Sequence, residues 1–348
     1  MASEAPPFWW QAPDWRAWTL APVSAVYGAV AGRRMAHGPR EPIDLPVICV
    51  GNFTVGGAGK TPAAIALSRE AKRMRLQPGF LSRGYGGSFP KPHVVDAYHD
   101  SARHVGDEPL LLAEHAPVVV TPDRASGARL LASRGCELLI MDDGFQSARL
   151  HMDFALLVVD ARRGVGNGHV IPGGPLRAPL IEQLRLLHGV LKVGEGEAAN
   201  EIIRRASRAG RPVYEAHVRP RDPGQFNGRR FLAFAGIGDP DKFFHTVEEA
   251  GGTVEMRRGF PDHHFFSRDD LDDLAAAARK EGLELITTAK DAVRLRHGSE
   301  HERAFAKDLS VLEIELVFDI AHTPRVVIEQ ALKAWRERRH QSIGPKSA

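Results

Sequence analysis

Cysteine is scarce in this chain: its 348 residues include only Cys49 and Cys136, with no Cys-x-x-Cys pair. That excludes a disulfide framework and points to a reducing compartment. No run of eighteen apolar residues occurs, so no segment is long enough to span a bilayer as a helix. Charge of one sign is also lacking. The 46 basic and 43 acidic residues leave +3, too little to argue for a nucleic-acid partner. There is no internal repeat and no long low-complexity tract, which removes solenoids and disordered arrays. None of the ten lysines has an aspartate two residues on, so the guanine-reading Lys-x-Asp signature of small GTPases is absent. What remains is 43% hydrophobic and 26% charged, the make-up of a globular protein with length for two cores.

The most informative stretch is Pro46-Val-Ile-Cys-Val-Gly-Asn-Phe-Thr-Val-Gly-Gly-Ala-Gly-Lys-Thr-Pro62. It reads as a buried strand, a glycine-rich turn, then a lysine and a threonine opening a helix. Free backbone N–H groups at a helix start, approached by a glycine-lined loop, make a cradle for nucleotide phosphates. Thr54, Val55, Gly56, Gly57, Ala58, Gly59, Lys60 and Thr61 are the candidate cradle. Lys60 would reach the β- and γ-phosphates of a nucleoside triphosphate, and the Thr61 hydroxyl would hold Mg²⁺. The spacing departs from Gly-x-x-x-x-Gly-Lys-[Ser/Thr], since Thr54 stands at the first glycine. It is closer to the Gly-Gly-x-Gly-Lys-Thr loop of dimeric ATPases, although Val55 stands where those carry a second lysine.

Short apolar segments then alternate with helical ones. Helices are expected over Ala63–Arg75, Leu110–Glu114 and Ala125–Arg134, and strands over Val118–Val120, Leu138–Met141 and Phe154–Val159. This alternation predicts an α/β fold of P-loop NTPase type, a mostly parallel sheet with helices on both faces. In such sheets ligands sit at the carboxyl ends of the strands, where these motifs fall. A glycine- and proline-rich loop spans Gly164–Pro179. The expected division is an N-terminal arm at 1–40, a core at 41–212, a linker at 213–230 and a smaller C-terminal α/β domain at 231–340. That last domain is expected to hold strands Phe231–Ala235, Thr253–Arg257, Leu285–Thr288 and Val311–Leu316, with Thr323–Arg338 as a closing helix.

Three acidic groups are candidates for chemistry. Leu138-Leu-Ile-Met-Asp-Asp143 ends a strand in two carboxylates, which suits a hard cation beside a phosphate loop, with the choice between Asp142 and Asp143 open. Gly106-Asp-Glu-Pro109 sets two acids at a helix start, where capping alone also favours them. Phe260-Pro-Asp-His-His-Phe265 holds an acid and imidazoles between apolar anchors, plausible acid–base material.

The N-terminal arm carries four of the five tryptophans, Trp9, Trp10, Trp15 and Trp18, followed by Leu20, Val23, Val26, Tyr27 and Val30, then Arg33 and Arg34. A secretory signal puts its charge first and lacks such aromatics. Two readings stand: an amphipathic helix in a lipid interface, or an arm packed on the protein's own core.

Taken together, seven motifs resemble the tetraacyldisaccharide 4′-kinase family of lipid A biosynthesis, in order and over nearly the whole chain. They are Val50–Pro62, Leu81-Ser-Arg-Gly-Tyr-Gly86, Val105-Gly-Asp-Glu-Pro109, Asp142-Asp-Gly-Phe-Gln146, Gly173-Gly-Pro-Leu-Arg177, Phe260-Pro-Asp-His-His264 and Thr288-Ala-Lys-Asp-Ala292. The resemblance implies transfer of the γ-phosphate of ATP to the 4′-hydroxyl of a tetraacylated glucosamine disaccharide 1-phosphate. It implies work at the cytoplasmic face of the bacterial inner membrane, with the aromatic arm as the membrane-associated helix and no obligate protein partner. Asp107 is then the base that accepts the hydroxyl proton, His263 its partner, and Lys60 the third catalytic group. Thr61, Glu108 and Asp143 are the implied Mg²⁺ shell, and Arg83 is placed either at a phosphate or in a helix-packing or salt-bridge role. Asp107 and His263 are expected to meet as two domains close. The rivals are a P-loop switch or partition-type ATPase, a lipid-binding module with a dead phosphate loop, and a metal-dependent hydrolase.

Overall fold

The computed structural model describes residues 5–84, 89 and 91–343. Thirteen strands occur among them: β1 (Val47–Asn52), β2 (Pro78–Ser82), β3 (His93–Val94), β4 (Val118–Val120), β5 (Leu138–Asp142), β6 (Phe154–Asp160), β7 (Gly189–Val193), β8 (Val213–Pro220), β9 (Arg230–Ala235), β10 (Thr253–Gly259), β11 (Glu284–Thr288), β12 (Ser310–Leu312) and β13 (Ile314–Phe318). They form a nine-stranded sheet, ordered β13-β8-β7-β6-β1-β5-β2-β4-β3, and a four-stranded sheet, ordered β10-β9-β11-β12. The inner strands of the large sheet run parallel, with antiparallel pairs only at its two edges, β3 on β4 and β13 on β8. The small sheet is parallel throughout.

The central strands are buried on both faces because helices cover both. Every residue of β1 and β5 is buried, which is why they read as unbroken apolar runs. The helix Lys60–Arg73 lays Ala63, Ala64, Leu67 and Ala71 on one face of the large sheet. That is the three-to-four-residue spacing of an amphipathic helix. In the small sheet, Phe231, Ala233, Ile286 and Leu312 face the helix Pro240–Glu249. On the other face, Leu232 and Phe234 meet the helix Arg268–Glu281, which Ser267 and Asp270 start with a capping box.

The expected domain boundaries are corrected by strand membership. Val213–Pro220 is a strand of the large sheet rather than a linker, paired parallel to β7. The expected single strand Val311–Leu316 is two strands. Ser310–Leu312 pairs with β11 in the small sheet, and after Glu313 the chain crosses to pair Ile314–Phe318 with β8. The closing helix Thr323–Ile343 then buries Val327, Ile328 and Ala331 in the core of the large sheet. The small layer therefore comprises roughly residues 230–312. The pattern Val311-Leu-Glu-Ile-Glu-Leu316 carries no mark of which sheet each half will join, so the crossover was hidden.

The N-terminal arm is a helix, Trp15–His37, preceded by a short turn at Pro7–Trp10. Ala17, Ser24, Gly28, Gly32 and Met35 form its buried face. Trp15, Trp18, Val23, Val26 and Val30 lie exposed on the other. One stripe of the helix docks on the protein and an apolar stripe on the opposite side is exposed. No helix among the described residues is long and apolar enough to cross a membrane.

Candidate active site

The loop after β1 turns back on itself through residues only glycine accommodates easily. Gly56 and Gly59 have φ of 101° and 92°, in the left-handed region closed to most side chains. Asn52 Nδ2 donates to Gly56 O at 3.0 Å and pins the turn. A Cβ added at Gly56 or Gly57 would meet no atom within 4 Å, so the loop's mouth is open while its base is braced. The brace comes from the Gly173–Arg177 motif. Val55 N donates to Pro175 O at 2.9 Å, and Arg177 N to Phe53 O at 3.0 Å. Arg177 Nε reaches Thr54 O at 2.9 Å.

Lys60 and Thr61 open the helix that follows, both buried. Across from them, β5 and the residue after it present two acids with different partners. Thr61 Oγ1 lies 3.4 Å from Asp142 Oδ2, and Asp142 Oδ1 is buried with no hydrogen-bond partner among the described residues. Asp143, at φ 55°, is gripped by Arg177 Nη1 at 2.7 Å from each carboxylate oxygen and lies 3.7 Å from Lys60 Nζ. Arg124 Nη2 donates to the Asp143 carbonyl at 2.9 Å, and its Nη1 is again without a partner among the described residues. Burial, with Glu108 nearby, pushes the Asp142 carboxyl up to about 7. Burial also works against charge on Asp143, but Lys60 and Arg177 hold that carboxyl well below the usual range.

An orphaned carboxylate oxygen, a threonine hydroxyl and a neighbouring acid fit a hard cation that takes oxygen ligands. Of the expected Mg²⁺ shell, Thr61 faces Asp142 rather than Asp143. Glu108 lies in an ion pair, with Lys290 Nζ 2.5 Å from its Oε1, and that charge lowers the glutamate's pKa.

Asp107 follows Gly106, whose φ of 94° turns the chain into the short helix Asp107–Ala113. His263 arrives from the turn after β10, also with positive φ, 59°. Its Nδ1 sits 3.1 Å from Asp107 Oδ2, so the two side chains expected to meet on domain closure already stand in contact. Two of the candidate side chains, Asp143 and His263, are held on left-handed backbone, a strain that the surrounding fold sustains. Burial opposes charge on Asp107, yet the His263 bond and the Lys290 and Arg294 charges keep it ionised far below the ordinary range. The same hydrogen bond raises His263. The neighbouring His264 serves the fold instead. Its Nε2 lies 3.0 Å from Asp270 Oδ2, and its ring stacks on Phe260.

Lys290 and Arg294 lie one turn apart on the helix Ala289–Arg296, which carries them from the small sheet to the acids of the large one. Sequence reasoning did not single them out, nor Arg124, nor Arg177. Lys290 and Arg177 stood inside quoted motifs, which was the available signal; Arg294 and Arg124 had none. Arg83 is exposed, and Tyr85 and Gly86 of its motif lie outside the described residues.

A family model, LpxK, described as tetraacyldisaccharide-1-P 4′-kinase, matches residues 16–333. A protein of Mesorhizobium japonicum named tetraacyldisaccharide 4′-kinase is 64% identical over 343 residues, covering 98% of this chain and 100% of that one. A protein of the same name from Chelativorans sp. is 57% identical, covering 97% and 98%. The crystal structure of LpxK from Aquifex aeolicus in complex with ATP matches with a TM-score of 0.69 at 26% identity, covering 90% of this chain and 99% of that one.

Proposed function

Because this chain belongs to the tetraacyldisaccharide-1-P 4′-kinase family, we propose a division of labour among the residues at the carboxyl ends of β1 and β5 and the acids facing them. The chain is an ATP-dependent kinase that phosphorylates the 4′-hydroxyl of a tetraacylated glucosamine disaccharide 1-phosphate. Phosphoryl transfer asks little covalent chemistry of a protein and much positioning and charge neutralisation. In this reading the backbone of Thr54–Thr61 cradles the phosphates, and Lys60 neutralises charge on the β- and γ-oxygens. Thr61 and Asp142 would hold Mg²⁺, with Glu108 nearby, and the ion would supply Lewis acidity toward the transferred phosphoryl group.

Asp107 receives the proton of the attacking hydroxyl. A carboxylate held strongly ionised orients the alcohol by accepting its hydrogen bond and takes the proton late, as bond formation to phosphorus proceeds. His263 fixes the carboxylate's orientation. The observation that carries this assignment is the 3.1 Å contact between Asp107 and His263, brought from separate sheets to one point. A nucleotide switch has no use for such a pair.

The exposed stripe Trp15, Trp18, Val23, Val26 and Val30 is the surface we assign to the lipid interface, on the cytoplasmic side where ATP is supplied. Its support is the substrate's own acyl chains, which hold the acceptor at a membrane.

The test is turnover with labelled ATP and the acylated disaccharide 1-phosphate, the product read by thin-layer chromatography. Asp107→Asn is expected to lose about 10²–10⁴-fold in kcat while the ATP dissociation constant, measured by calorimetry, stays put. Full turnover in that variant would overturn the base assignment.

A further inference from the structure

Arg294 is buried, its side chain 2% exposed, and all five of its N–H donors are engaged. Nε and Nη2 donate to Asp107 Oδ2 at 3.0 and 2.8 Å. Nη1 donates to Asp291 Oδ1 at 2.7 Å and to His264 O at 3.1 Å. Nη2 also reaches Gly236 O at 3.1 Å. Asp291 is itself fixed by Thr288 Oγ1 at 2.6 Å and by Gly236 N.

The distribution over the Asp107 carboxylate is uneven. Oδ2 receives both Arg294 bonds and the His263 contact. Oδ1 takes a single backbone N–H, from Glu108 at 2.9 Å. A carboxylate oxygen has two lone pairs, so Oδ2 is saturated and Oδ1 has one to offer. The same guanidinium also ties down the turn that carries His263. It bonds the carbonyl of the next residue, His264, and the Gly236 carbonyl, which in turn accepts from His263 N at 3.1 Å.

We infer that Arg294 is a positioning residue for phosphoryl transfer: it occupies Oδ2 of Asp107, locks the His263 turn against it, and thereby presents Oδ1 to the acceptor hydroxyl. The inference rests on the reading of Asp107 as the proton acceptor. Only a planar fork makes this arrangement, because an ammonium at the same place is a point charge that cannot span Asp107, Asp291 and two carbonyls.

A double-mutant cycle tests it, with kcat, KM for ATP and the calorimetric ATP dissociation constant measured for Arg294→Lys, Asp107→Asn and both together. Arg294→Lys is expected to lose about 10²-fold in kcat, the cost of an ångström-scale misplacement, at unchanged KM and unchanged ATP affinity. In the Asp107→Asn background the same change should cost nothing further. An equal loss in both backgrounds, a loss that tracks ATP affinity, or no loss at all would overturn the positioning role while leaving the Asp107 assignment intact. Full activity of Asp107→Asn alone would instead remove that assignment and the inference with it. Should Arg294→Lys fail to fold, Arg294→Gln carries the same cycle, since its amide keeps two donors but cannot span Asp107 and Asp291 together.

Discussion

Arg177 and Asp143 form a two-point clasp: Nη1 of the arginine lies 2.7 Å from both oxygens of the carboxylate, while Nε holds the Thr54 carbonyl of the phosphate loop. One guanidinium thus joins the turn after β1 to the acid that follows β5. Asp143 is committed to that joint, and Asp142 is the acid left facing Thr61. Asp143→Asn should therefore act as an outer-sphere change, weakening Mg²⁺ by about 10–100-fold. Asp142→Asn should weaken it more. Initial rates against free Mg²⁺ at fixed ATP compare them, and the reverse order would reassign the ligand.

Lys60 is nearly enclosed, and its ammonium lies 3.7 Å from Asp143, too far for a tight ion pair. Its charge acts on Glu108, Asp142 and Asp143 alike, favouring the ionised form of each. Lys60→Met should lower kcat by about 10²–10³-fold, the loss typical when one preorganised electrostatic contact is removed. The fold should survive, because Asp143 keeps Arg177. Circular dichroism and turnover measured on the same preparation check both halves.

The glycine-rich turn and the strand ends were legible because local signals carry them, whereas the Asp107–His263 pair, 156 residues apart, was expected only from the resemblance of the motifs to a family. Glycines demand left-handed turns, apolar runs demand buried strands, and acids at strand ends lie where parallel sheets bind ligands. What escaped was non-local. Arg177 reaches Asp143 across 34 residues, and Arg294 reaches Asp107 across 187. An arginine's sequence neighbours say nothing of such a partner. The crossover at Glu313 was hidden for the same reason, since Leu312 and Ile314 look alike in sequence yet belong to different sheets.

Stability of the metal-free protein should depend on pH through Asp142. Its carboxyl is raised to about 7, against about 3.9 for an unfolded chain. Between those values the folded state binds the extra proton, so stability is greater at the acid end and falls as pH rises through the window. The full effect is of order a few kcal/mol. Urea midpoints at pH 5 and pH 7.5 should separate more in the wild type than in Asp142→Asn, and saturating Mg²⁺ should close the gap. Equal separations in the two proteins would refute the shift.

Two tryptophans of the arm have opposite surroundings. Trp9 is buried and donates from Nε1 to Pro172 O at 3.0 Å, whereas Trp15 is 73% exposed. Replacing Trp15, Trp18 and Val26 by serine should leave the unfolding midpoint and ATP affinity unchanged. Vesicle binding should fall well over tenfold, since a fully buried apolar side chain contributes roughly 1.5–3 kcal/mol. Trp9→Ala should do the converse, lowering stability with partitioning retained. Co-sedimentation with anionic vesicles separates the two, and unchanged binding of the serine variant would end the lipid assignment of this face.

The tail helix is fastened where β1 begins. Arg338 Nε and Nη2 lie 3.0 and 3.2 Å from the two oxygens of Asp153, and Nη1 donates to Ile43 O at 3.0 Å. Asp153, fully buried, also accepts from Val47 N at 2.9 Å. The return of the chain from the small sheet to the large one ends in this clasp, which ties residue 338 to the first residue of the strand that leads to the phosphate loop. Removing one partner of a buried pair strands the other charge at a cost of about 3–5 kcal/mol. Arg338→Ala should therefore lower the urea midpoint strongly. Arg338→Ala with Asp153→Asn should recover part of it, because no bare charge remains. If the double variant were as unstable as the single, the clasp would owe its strength to the carbonyl contacts of Nη1 at Ile43 and of Nη2 at Leu45 rather than to the ion pair.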